Sequence, residues 1–129
     1  EPIENFIKSG KITKDSIEKI IDRTRKGGAE IVKYLEKGSA YFAPAASGVQ
    51  MLESYLKDLK KELPCAAFLE NEYGAKGIYA GVPVVIGKNG VEKVVQINLS
   101  KSEKSQFDKS VSAVKELFDA AKKIDSELE

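Results

Sequence analysis

The chain has 129 residues, 42% of them hydrophobic and 32% charged, with 21 Lys and Arg against 20 Asp and Glu. That length fits one domain and the balance is that of a globular chain, while a net charge of +1 gives no sign of a field that would hold nucleic acid or an anionic membrane. A histidine count of zero and a single cysteine exclude Ser–His and Cys–His nucleophilic catalysis and the usual Cys/His zinc sites within this chain.

The sequence begins Glu1-Pro2-Ile3 without an initiator methionine, which reads as a piece of something longer. Residues 3–9 (IENFIKS) form a short helix stopped by Gly10. Thr13 or Asp15, the latter with Glu18 at capping-box spacing, then opens a long one. Ile17, Ile20, Ile21, Thr24, Gly28, Ile31, Val32 and Leu35 keep helical spacing as far as Lys37, and Gly38 ends the run. Gly28 lies on that stripe, so close packing explains it better than a break.

Next comes SAYFAPAASGVQM, residues 39–51, a helix start built from Ala40, Ala43, Ala45, Ala46, Ser47 and Gly48. Either another element packs tightly there, or a ligand needs a smooth, close wall. Ser39 is the expected N-cap. Pro44 must lie near the first turn, because deeper in the helix its ring would clash with the carbonyl four residues back. The helix is expected to run through Met51, Leu52, Tyr55, Leu56 and Leu59, with KDLKKE as its solvated end.

From Leu63 the period changes to strands: LPCAAFLE, GIYAGVPVVIG and VEKVVQINL. NEYGAKG connects the first two, and Asn-Gly marks a hairpin between the last two. VPVVI reads as buried on both faces and VEKVVQI as wet on one. Ser100 and Glu103 make a capping box for a closing helix with the stripe Phe107, Val111, Val114, Phe118, Ala121 and Ile124. A charge at Val114 is therefore expected to destabilise strongly. The fold class is α+β, long helices packed on a small antiparallel sheet with a closing C-terminal helix.

Candidate chemistry is sparse. Glu70 and Glu72 could bind a cation or share acid–base work, but lack a third ligand nearby and read as a solvated turn. Cys65, between Pro64 and two alanines, reads as a small buried thiol. Arg23 and Arg25 could clamp a carboxylate, with a surface or interface salt bridge the plainer alternative. GVPVVIG lacks the glycine spacing and following helix of a phosphate loop. Unaided, the residues assign no catalytic group and no metal site.

Three stretches in order, RTRKGGAEIV, GSAYFAPAAS and LPCAAFLENEYGAKGIYAGVPVVIGKNGVEKVVQI, closely resemble the C-terminal part of bacterial malate dehydrogenases of the lactate-dehydrogenase-like branch. The resemblance runs from Glu1 to the final helix. Asn71 stands where the family has glycine, and Gly77 where a polar residue is commoner. The resemblance implies an incomplete C-terminal domain, residues 1–129, of a cytoplasmic NAD-dependent enzyme interconverting malate and oxaloacetate. It also implies that the dinucleotide-binding domain, substrate arginines and catalytic histidine lie upstream, so the chain alone is expected to be inactive. By the same resemblance Ala40 lines the substrate pocket, Pro44 lies near the nicotinamide, and the long helices face a partner subunit in a homodimer or homotetramer. A lactate dehydrogenase fragment and a stand-alone non-enzymatic α+β interaction domain are the competing readings.

Overall fold

A computed structural model describes residues 2–125, 127 and 128. The chain divides into two compact units, Glu1–Ser47 and Gly48–Glu129.

In the first unit, α1 (Ile3–Lys8) is followed by the 22-residue α2 (Lys14–Leu35). Thr13 caps α2, its hydroxyl accepting from the Ser16 N–H at 3.2 Å, so the first of the two expected caps is the one used. The helix runs unbroken through Gly27 and Gly28, and among the described residues a Cβ on either would meet nothing within 4 Å beyond its chain neighbours and the helix's own backbone. No residue of α2 is buried, and Ile20, Ile21, Ile31 and Leu35 are all exposed. Glu36 (φ 62°) ends the helix, its N–H donating to the Val32 carbonyl at 3.0 Å.

The helix α3 (Phe42–Leu56) starts three residues later than the N-cap expected at Ser39. Ser39 instead accepts from the Tyr41 N–H at 3.4 Å, and the left-handed Tyr41 (φ 35°) bars helical geometry before Phe42. The Tyr41 carbonyl takes the Ala45 N–H at 3.0 Å, so Pro44 falls in the first turn, where a missing donor costs nothing.

At its far end α3 also stops early, and KDLKKE is not helical. Ser54, fully buried, causes the reversal. Its hydroxyl donates to the Ile86 carbonyl at 2.7 Å and accepts from the Lys61 N–H at 3.2 Å, turning the chain into β1 (Lys61–Leu69). Asp58 (φ 49°) and Lys60 (φ 51°) make the turn in left-handed conformations.

The sheet is antiparallel in the order β1, β2 (Ile78–Gly87), β3 (Gly90–Val94). Leu63, Ala67 and Leu69 pair with Val84, Ala80 and Ile78, and these residues form the buried face with Val82 and Ile86. The other face of VPVVI is only half covered: Pro83 and Val85 are half-buried, where the apolar run suggests burial on both faces. β3 ends at Val94 rather than continuing to Leu99. Val95 still donates to the Pro83 carbonyl at 2.8 Å, but Pro83 has no N–H to return, so the ladder lapses. Tyr73 takes over there, its hydroxyl donating to the Val95 carbonyl at 2.6 Å and accepting from the Ile97 N–H at 3.0 Å.

Ser100 and Glu103 complete the expected capping box of α4 (Lys101–Ile124). Phe107 and Val111 pack against the core, with the Phe107 ring 5.2 Å from that of Tyr73. The second half of the stripe is not buried: Val114 is 41% and Phe118 43% exposed, lining an open cavity with Phe68 and Tyr79 of the sheet. The strong destabilisation expected of a charge at Val114 therefore falls away.

An ion network closes the sheet's hairpin end. Lys60 Nζ lies 2.7 Å from Glu92 and 3.7 Å from Asp58, Asp58 accepts from the Lys88 N–H at 3.0 Å, and Asn89 donates to Glu92 at 3.1 Å. The Lys60 hydrogen bond holds the Glu92 carboxyl below its ordinary value, and the Lys88 N–H does the same for Asp58. Groups with lowered native pKa contribute stability that is complete above the ordinary carboxylate range and is lost as pH falls through the native value. Stability is thus expected to decline in acid, below about pH 4. Glu92→Gln should make that acid limb shallower in urea titrations across pH, and an unchanged limb would refute the assignment.

Candidate functional site

No Asp, Glu, Lys or Arg lies between Lys37 and Glu53, so the loop after α2 and the start of α3 present no formal charge. The loop is tightly wound. Glu36 (φ 62°), Gly38 (φ 90°) and Tyr41 (φ 35°) are all left-handed. Tyr41 folds back on Gly38, and a Cβ there would coincide with the tyrosine hydroxyl and ring edge. Ala40 sits between them, half-buried, and Pro44 is exposed on the first turn of α3. Behind it the exposed Ser47 hydroxyl donates to the Ala43 carbonyl one turn back at 3.1 Å. The result is a short wall of methyl groups, a proline ring and backbone, which a planar ligand can approach closely.

The other sequence candidates are spent on structure. Glu72 accepts from the Glu70 N–H at 2.8 Å and the Asn71 N–H at 3.1 Å, and these donors hold its carboxyl below the usual range. It caps its own turn, and among the described residues no group of three His, Cys, Asp or Glu could hold a metal. Asn71 has an extended backbone (φ −168°) open to any residue, while Gly77 (φ 71°) takes a left-handed one that suits glycine. Cys65 is half-buried rather than buried, its sulfur 3.4 Å from that of Met51. Arg23 lies against Glu30 two helical turns on, through Nε at 3.2 Å and a terminal nitrogen at 3.1 Å, so the salt-bridge reading holds for it. The sequence pattern marks Gly38 as a helix stop and gives no role to Tyr41. The glycine three residues before the tyrosine was the available signal.

Residues 1–125 match the lactate/malate dehydrogenase, alpha/beta C-terminal domain family. The malate dehydrogenase of Pelagibacter ubique is 61% identical over 128 residues, which is 99% of this chain and 40% of that protein. Among solved structures, the lactate dehydrogenase of Eimeria maxima with NADH and oxamate superposes with a TM-score of 0.90 at 38% identity, covering 97% of this chain and 39% of that one. The malate dehydrogenase of Cryptosporidium parvum gives 0.83 at 51% identity, over 88% of this chain and 36% of that one. The chain spans about two fifths of the length of the curated relatives it matches. No described helix is long and apolar enough to cross a membrane.

Proposed function

We propose, because the chain belongs to the lactate/malate dehydrogenase family through its α/β C-terminal domain, that it is the C-terminal portion of a cytoplasmic NAD-dependent malate dehydrogenase. The observation that carries the reading is 61% identity to a malate dehydrogenase across 99% of the chain. In the complete enzyme Ala40 lines the pocket for malate or oxaloacetate, and Pro44 lies against the nicotinamide. When bound, NAD supplies the hydride acceptor. The residues here fit such a neighbour, since from Gly38 to Leu52 they offer backbone and small or uncharged side chains. Ala40 and Pro44 exclude water and add no competing charge, so a carbonyl beside them feels only the groups that polarise it. The proton for that carbonyl comes from outside this chain, which has no histidine.

The exposed stripes of α2 and α3 support a second role. Ile20, Ile31 and Leu35, with Val49 and Leu52, face a partner subunit in a homodimer or homotetramer. Neither nucleic acid nor a membrane surface enters this reading.

Two measurements test it together. The chain by itself is expected to show no oxaloacetate-dependent oxidation of NADH above a blank. A chimera in which it replaces the matching segment of the Pelagibacter enzyme is expected to keep that activity within about tenfold, as family members with the same wall should. An inactive but folded chimera would favour a stand-alone interaction domain. Preference for pyruvate over oxaloacetate would move the assignment to lactate dehydrogenase.

A further inference from the structure

We propose that Tyr41 is a positioning residue of the pocket wall: folded onto Gly38, its side chain holds residues 36–41 in the one shape that offers Ala40 to a bound 2-oxo acid. This rests on the functional reading above and goes beyond it by naming what sets the wall.

The loop is improbable on its own. Glu36 and Tyr41 adopt left-handed backbones that side-chain-bearing residues keep only when their surroundings hold them there, and Gly38 makes a third such residue within six. Ala40, Ala43, Ala45 and Ala46 are too small to bridge the loop. Tyr41 joins both sides of the junction. Its N–H donates to Ser39, its carbonyl receives the Ala45 N–H that begins α3, and its ring occupies the space a Cβ on Gly38 would fill. Glycine at 38 and an aromatic ring at 41 are thus one device, because any side chain at 38 expels the ring. Ala40, between the two, takes its orientation from both.

A wall fixed beforehand is not ordered by the substrate on binding. Losing that order weakens ground state and transition state alike, which raises KM and leaves kcat in place. In the complete enzyme Y41A and G38A are therefore expected to raise KM for oxaloacetate about fivefold or more, with kcat and the KM for NADH within about twofold of wild type. Y41F keeps the ring and is expected to behave as wild type. A Y41A enzyme with unaltered KM, or one that loses kcat in place of affinity, overturns the inference, as does a Y41F enzyme as impaired as Y41A. Should G38A not fold, Y41A and Y41F decide alone. A wild-type enzyme that reduces neither oxaloacetate nor pyruvate removes the functional reading, and this inference with it. An active wild type beside an indifferent Y41A removes this inference only.

Discussion

Val84→Asp is expected to abolish the cooperative unfolding of this chain, with a loss of at least about 4 kcal/mol. Val84 has no exposed surface, lies on the central strand β2 and pairs with Leu63 on one side and Val94 on the other. The core cluster on its face is Leu, Val, Ile and Ala, with Cys65, Tyr73 and Phe107 packed against it and no cationic side chain among them, so a carboxylate there has no counter-charge. A small domain is stable by only about 5–15 kcal/mol, so the variant should lose its thermal transition in circular dichroism. Val114→Asp is the control. That site is 41% exposed, the new carboxylate reaches solvent, and the melting curve should move little. Equal effects of the two substitutions would mean that the buried face has been wrongly assigned.

Ser54→Ala should cost about 2–3 kcal/mol although it removes one oxygen atom. That oxygen serves the Ile86 carbonyl and the Lys61 N–H at once, and the alanine variant leaves both without it in a place the side chain had sealed from water. Urea unfolding should show a lower midpoint at an unchanged slope. A midpoint shift worth less than about 0.5 kcal/mol would show that water replaces the hydroxyl without penalty.

The legible parts of the fold are those whose cause is local. The Ser100–Glu103 box, the Thr13 cap and the Asn-Gly hairpin each depend on residues a few positions apart, and each forms where its motif stands. The errors arise where the partner is distant. Leu59 continues the helical spacing of α3, but a serine hydroxyl bonded 32 residues away ends the helix before reaching it. The stripe of α4 keeps its period to Ile124, yet period reports which face is apolar and not how far the opposing sheet extends; Ile124 is 90% exposed. At the candidate site, Ala40 and Pro44 were reached through resemblance, since methyl groups and a proline carry no chemistry of their own. Tyr41 was illegible for another reason. Its role depends on a positive φ at three positions, and only the glycine advertises one.

Gly87 shows how one small residue binds others to it. A Cβ at that position would stand 2.5 Å from Glu92 Oε1 and 2.7 Å from Asp58 Oδ1. Both are the ends of flexible side chains, so a methyl group there is admitted by swinging the carboxylates aside, and the penalty is their bonds to Lys60, Lys88 and Asn89 rather than the collision itself. The tolerance of position 87 is accordingly written at positions 58 and 92. Where those two hold carboxylates, alanine at 87 costs their bonds; where other residues stand there, alanine is expected to be nearly neutral. The three sites are expected to change in descent as a group, in an order that loosens the acids first, although 34 residues separate the first from the last.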